Sequence, residues 1–198
     1  MLNYAIVAGS SRNNSQSAKV AHFLQQRLID LQLTTAATSN VIDLGTGPLP
    51  LWPAEDSGPW AQYAEQLKAA DAVIVIVPEW NGMACPAIKN FFIYTSKAEL
   101  AHKPGLLVGV SAAVGGPYVI SEMRASSYKN CRVNYLPEHI LVRHCGGVLN
   151  GPEAASEDDQ RLRARIDYAL DILGKYAVAL KPVREAIDMS NPGFANGM

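Results

Sequence analysis

Ala72-Val73-Ile74-Val75-Ile76-Val77 limits the fold of this chain more than any other stretch. Six apolar residues in succession place Val and Ile on both faces of a strand, and such a strand must be covered on both faces. It belongs in the middle of a parallel sheet. Four further strands are expected at helix-sized intervals: 4–8, 39–44, 105–111, and a fifth split between 132–135 and 140–144. Helical patterns fall between them, over about 15–31, 60–70, from Cys85-Pro86 onward and over 118–129, and a last helix opens at Ser156. Strands alternating with helices predict a doubly wound, five-stranded parallel sheet with helices on both faces and right-handed crossovers. In the order 2-1-3-4-5, strands one and three are neighbours whose connections leave in opposite directions, and ligands bind in the crevice this opens. Residues 1–180 are expected to form one domain. After Lys181 come Pro182, Pro192, Gly193 and Gly197, so 181–198 reads as an irregular tail.

The charges exclude several classes of function. Seventeen Lys and Arg against 18 Asp and Glu give a net charge of -1, which offers no electrostatic footprint for nucleic acid. No apolar run reaches membrane-spanning length, and no leader of the secretory type precedes the first strand. The three Cys, at 85, 131 and 145, form no C-x-x-C pair, which suits reduced thiols in the cytoplasm. Cys131, His139, His144 and Cys145 match no standard zinc spacing. Small molecules and further copies of the chain are the expected partners, with no nucleic acid and no membrane.

The candidate site begins where the first strand runs into Gly9-Ser10-Ser11-Arg12-Asn13-Asn14-Ser15-Gln16-Ser17. A helix N-terminus normally attracts acidic residues, yet the first acid in this chain is Asp30. Hydroxyls, amides, one Arg and free backbone N-H groups therefore converge where no protein anion waits, as in an anion cradle. A plain helix capped by Ser15 is the alternative, and it leaves most of this polar capacity unused. With one Gly, the turn is neither a P-loop nor a dinucleotide fingerprint. A terminal phosphate monoester, as on a mononucleotide, suits it best. Arg12, Lys19 or another cation is a candidate for a further phosphate, and the sequence marks none of them.

Two apolar features remain. Leu49, Leu51 and Trp52 lie in a Pro-rich loop and are expected to cover a ligand, to meet another subunit, or to pack inward. Ile88, Phe91, Phe92, Ile93 and Tyr94 make the helix after Pro86 apolar nearly all round. One side is expected on the sheet and the other on a second subunit, in a homodimer or homotetramer.

The motifs together resemble the NADPH-dependent FMN reductase family, whose members share a flavodoxin-like fold. Its G-S-x-R-x-x-S-x-N motif appears as Gly9 to Ser17, which implies that Ser10, Arg12 and Ser15 hold the FMN phosphate, with Ser17 in place of the usual Asn. Its P-E-Y-N motif, followed by a Pro turn and Lys-Asn, appears as Pro78-Glu79-Trp80-Asn81-Gly82 through Pro86 to Lys89-Asn90. This segment is implied to run along the flavin ring. Trp80 stands where the family has Tyr, and Cys85 where it has Pro. The third loop, S-x-G-x-x-G-G in the family, is one residue shorter here, Ser111-Ala112-Ala113-Val114-Gly115-Gly116, with Ala113 in place of its first Gly. The resemblance implies bound FMN, NADPH or NADH as co-substrate, and ping-pong hydride transfer to a quinone, azo, metal-oxyanion or free-flavin acceptor. It calls for no side chain as acid or base. An FMN electron carrier without NAD(P)H turnover is the alternative, although carriers of that kind are strongly acidic and this chain is not. Gly109-Val110-Ser111-Ala112-Ala113 misses the G-x-S-x-G elbow of hydrolases at its last position.

Overall fold

The structure is a computed structural model that describes residues 1–194 and 196. Strand β1 (Tyr4–Ala8) leads into helix α1 (Gln16–Asp30), followed by β2 (Ser39–Asp43), α2 (Trp60–Ala69) and β3 (Ala72–Trp80). A two-residue strand β4 (Met83–Ala84), helices α3 (Pro86–Tyr94) and α4 (Lys97–Leu100), and strand β5 (Pro104–Val110) come next. Helix α5 (Pro117–Ser126), β6 (Asn134–Val142) and α6 (Glu157–Ala186) complete the domain. The sheet runs β2-β1-β3-β5-β6, all pairs parallel, and β4 folds back antiparallel on the end of β3. With β4 set aside, this is the expected order 2-1-3-4-5.

The pleat of β3 explains why the sheet has helices on both sides. Ile74 and Ile76 join Val20, Leu24 and Leu28 of α1 and Ile166, Leu170 and Leu173 of α6 in one buried layer. Val73, Val75 and Val77 point the other way, into a layer with Leu67 of α2, Ile88 and Phe91 of α3, and Val119 and Met123 of α5.

Two expectations at the C-terminal end are corrected. The two halves of the fifth strand are one strand, β6, interrupted by a bulge: Gly105 pairs with Tyr135, but Leu107 pairs with His139. Pro137 sits in the bulge, where its missing N-H breaks no ladder bond. The residue Arg124 of α5 donates to the Leu136 carbonyl there, at 2.5 Å. The tail does not begin at 181, because α6 continues through Pro182 to Ala186. Arg184 reaches Asp71 at 3.3 Å, and this shielded ion pair anchors the last turn. Beyond it, Lys97 donates to the Met189 carbonyl at 2.9 Å and Arg132 to that of Phe194. For the tail, residues 195, 197 and 198 lie outside the described residues.

The start of α6 shows which member of its acidic cluster matters. Ser156 caps the helix through the Asp159 amide at 3.2 Å, as its sequence implies. Arg161 pairs with Asp158 and not with Glu157. Asp159 is fully buried and accepts from the amides of Leu149 at 3.1 Å and Ala155 at 3.0 Å, with Arg163 at 3.3 Å. Burial works to raise its pKa, but the Ala155 amide, Arg163 and the Leu149 amide outweigh it and hold the carboxyl below the ordinary aspartate value. A folded-state pKa below the unfolded one gives stability that is present above the unfolded value and lost as pH falls through the folded one. Asp159→Asn is expected to lower unfolding stability by about 1–3 kcal/mol at neutral pH. In urea melts the deficit should shrink as the pH falls below the aspartate range.

Candidate functional site

The cradle starts inside the sheet. The Gly9 N-H donates to the Ile76 carbonyl at 2.9 Å, and a Cβ at Gly9 would come within 2.6 Å of that oxygen. Only Gly fits there. Ser10 is buried, and its Oγ accepts from the Arg12 amide at 3.3 Å. Ser15 does cap α1, accepting from the Ala18 amide at 3.0 Å. Capping uses one lone pair and leaves the hydroxyl proton to donate. Ser17 lies in the first turn of α1, buried, with its Oγ lacking any partner. The same turn holds no acid. An orphaned hydroxyl beside an uncompensated helix terminus fits a phosphate group.

Arg12 has no carboxylate within ion-pairing reach among the described residues, and its guanidinium lies over the Trp80 ring, 4.7 Å from the centroid. Lys19 is not available for a second phosphate. Its ammonium donates to the carbonyls of Cys145 at 2.5 Å and Val148 at 2.9 Å and to Asn150 Oδ1 at 2.8 Å. All three of its protons are used, tying α1 to the loop after β6.

The second motif occupies the projecting end of β3. Pro78 is buried beside Val110 of β5. Glu79 and Trp80, adjacent in the strand, point to opposite sides. Trp80 faces Arg12, while Glu79 Oε2 accepts from the Gly116 amide at 2.5 Å, placing a carboxylate at the N-terminus of α5. Gly115 has no room for a side chain, since a Cβ there would lie 2.4 Å from Glu79 Oε1 and 2.9 Å from Ser111 Oγ. Asn81 and Gly82, with φ of 50° and 73°, are the two central residues of the β3–β4 hairpin. This pair of left-handed residues is the Asn-Gly signature of a tight hairpin turn.

The loop after β5 is fastened to the end of β6. Ser111 N-H donates to the Val142 carbonyl at 3.0 Å, and His144 N-H to that of Ala113 at 2.9 Å. Gly116 has φ of 114°, but Ala113 is not among the residues with positive φ. Replacement of Gly by Ala at 113 therefore strains nothing. The loops after β1, β3 and β5 are thus brought together through Arg12–Trp80 and Glu79–Gly116, with the remaining motif residues at the end of β3 and in the first turns of α1 and α3.

A fourth wall comes from the Pro-rich loop of Leu49, Leu51 and Trp52, and the residue that holds it went unrecognised in the sequence. Asn90 of α3 is buried and holds the segment from Leu49 to Trp52. Its Oδ1 accepts from the Trp52 amide at 3.0 Å, and its Nδ2 donates to the carbonyls of Pro50 at 2.9 Å and Leu49 at 3.4 Å. Tyr94 adds its hydroxyl to Pro50 O at 3.0 Å and an edge-on contact with the Trp52 ring. Two adjoining clefts result. One, of about 230 Å³, is lined by Ser11, Pro48, Leu49, Leu51 and Pro86. The other, of about 310 Å³, is lined by Leu51, Trp80, Met83, Cys85, Lys89 and Ile93. Larger hollows, about 490 Å³ beside Phe23 and Arg163 and about 470 Å³ beside Phe92 and Met123, touch none of the motif loops.

The apolar residues of α3 are mostly used within the chain. Ile88 and Phe91 are fully buried, and Trp60 covers Phe91 and Tyr94 at centroid distances of 6.0 and 5.4 Å. The second apolar side therefore faces α2 and the 49–52 segment; Phe92 is half-buried with its ring edge-on to Phe91 at 5.4 Å, and Ile93 is exposed. Among the described residues no three His, Cys, Asp or Glu gather to hold a metal ion, and no helix is long and apolar enough to cross a membrane.

A parallel sheet of this order, with an anion cradle after its first strand, is the flavodoxin-like architecture. The sequence profile of the NADPH-dependent FMN reductases matches residues 2–146, and the chain belongs to that family of FMN-dependent oxidoreductases. An NADPH azoreductase from Bacillus sp. (strain OY1-2) is 25% identical over 146 residues, 71% of this chain and 76% of the relative. A 2-hydroxy-1,4-benzoquinone reductase from Burkholderia sp. is 23% identical over 193 residues, 92% of this chain and 98% of the relative. The fold also matches a flavoenzyme NAD(P)H:(acceptor) oxidoreductase from Paracoccus denitrificans, with TM-score 0.69 and 18% identity over 91% of this chain and 99% of that one.

Cys85 is the nucleophile nearest the cradle. It precedes α3, its Sγ donates to the Gly9 carbonyl at 2.7 Å, and burial pushes its pKa up. Since the thiolate is the reactive form, Cys85 is expected to resist iodoacetamide at pH 7.5 and to be alkylated only in urea. Mass mapping of the alkylated peptides checks this.

Proposed function

We propose that the chain binds FMN with its phosphate in the cradle after β1 and works as an NAD(P)H-dependent reductase. Ser10, Arg12, Ser15 and Ser17 would hold the phosphate; Trp80, Ser111, Gly115 and Gly116 would border the ring. The observation that carries this reading is the orphaned, buried Ser17 hydroxyl in a helix turn with no acid. Bound FMN supplies the redox chemistry, hydride uptake from NADPH or NADH and then reduction of a quinone, azo compound, metal oxyanion or free flavin in alternate half-reactions.

The chain's own groups serve this by position. Glu79 holds the loop after β5 in place, so the backbone there needs no rearrangement on binding. Cys85 is kept as a neutral thiol. No side chain is required as a general acid or base. Near-neutral charge supports a reductase over a carrier steered by charge to a protein partner. Pairing of two copies along α3 would cover Phe92 and Ile93, and a gel-filtration mass of two chains is the corresponding expectation.

Flavin absorbance retained through desalting and bleached by anaerobic NADPH is the expected behaviour; retained flavin that NADPH leaves unbleached would favour the carrier. Arg12→Ala should weaken FMN binding by about 1.5–3 kcal/mol, roughly 10- to 150-fold in Kd, the worth of a hydrogen bond to a charged group. Titration by FMN fluorescence measures it, and an unchanged Kd would remove Arg12 from the site.

A further inference from the structure

The cleft of about 310 Å³ beside Trp80 is at the lower end of the volumes that small-molecule sites occupy, roughly 300 Å³ upward. Its outer wall comes from the loop between β2 and α2, a segment outside all three motifs. Asn90 spends both ends of its amide on that segment, so the wall is fixed by hydrogen bonds before any ligand arrives. Leu51 sits between the pinned residues Pro50 and Trp52. It is 78% exposed, yet it lines both clefts. A fixed backbone with an exposed apolar side chain at the junction of two clefts is built to meet a ligand.

The polar side chains around this cleft already have protein partners. Asn90 is satisfied by the loop, and the Cys85 thiol donates to Gly9 O. The Lys89 ammonium is neutralised by Glu122, which is held in turn by the Ala84 amide at 2.8 Å. What the cleft presents is Leu51, Met83, Ile93 and the face of Trp80, all about half exposed or more. An oxyanion entering it would shed water and find one ammonium already paired with a carboxylate, whereas an apolar ring would bury exposed carbon on both sides.

From this we infer that the Leu49–Trp52 segment, pinned by Asn90, is the acceptor-selecting wall of the site. Leu51 is its specificity-determining residue, and the wall admits flat, uncharged aromatic acceptors in preference to metal oxyanions. The inference rests on the FMN-reductase reading and narrows its acceptor. It also gives the buried thiol a use: a quinone is an electrophile, and a protonated Cys85 beside it does not add to the ring.

The test is equilibrium dialysis of the FMN-loaded protein against 1,4-naphthoquinone and, separately, against chromate. Retained flavin absorbance is recorded on the same samples. Saturable naphthoquinone binding is expected, weakened at least about tenfold by Leu51→Asp and by Met83→Asp, with no saturable binding of chromate. Both substituted side chains are exposed, so the fold does not depend on them. Chromate binding as tight as naphthoquinone, or naphthoquinone binding indifferent to both substitutions, would overturn the inference. Failure of the wild-type protein to retain FMN would count against the cofactor reading instead, and dialysis of the flavin-free protein would still decide the role of Leu51.

Discussion

The site depends on the alternation of a β-strand. Strand β3 runs past its neighbours, and where the sheet ends its successive side chains still point in opposite directions. Inside the sheet, this sends Val and Ile into two separate helix layers. At the projecting end it sends Glu79 to the N-terminus of α5 and Trp80 to the guanidinium of Arg12. Two loops that belong to different crossovers are thus gathered onto one strand. A shift of one residue in β3 would exchange the two side chains and undo both contacts.

The cradle owes its electrostatics to what is missing from one helical turn and its rigidity to what surrounds it. α1 has no acid near its N-terminus, so its dipole is left for a ligand. The helix is nonetheless held firmly, with Lys19 bonded to the loop after β6 and Val20, Leu24 and Leu28 buried against the sheet. Asp159 does for the loop before α6 what a ligand anion would do for the cradle. It satisfies two backbone amides with a buried carboxylate.

Local sequence revealed the parts of the molecule that are governed by local rules. The β3 run was apolar on both faces and proved central; Ser15 and Ser156 cap the helices they precede; Gly9 is bonded into the sheet, and Ser10 and Ser17 are buried near the start of α1. The parts that stayed hidden depend on distant partners. Asn90 reads as one more polar residue on an apolar helix, because carbonyls some forty positions away leave no trace in its neighbourhood. Lys19 looked like a free cation for the same reason. Pro182 suggested a helix end, yet α6 has left the core by that point and the ion pair of Arg184 with Asp71 holds the last turn. The bulge in β6 read as a split within the fifth strand because its irregular residues interrupt the apolar alternation.

Gly9 has a consequence for ligand exchange. Its amide is part of the sheet and its carbonyl receives the thiol of Cys85, so the loop after β1 is fastened at its root on both sides. Such a loop cannot swing open as a lid. The wall from Leu49 to Trp52 hangs on the amide of a single Asn and the hydroxyl of a single Tyr, so it is the side with less to break. Opening of the site by the loop after β2 therefore breaks the bonds of two side chains, whereas opening by the loop after β1 breaks into the sheet.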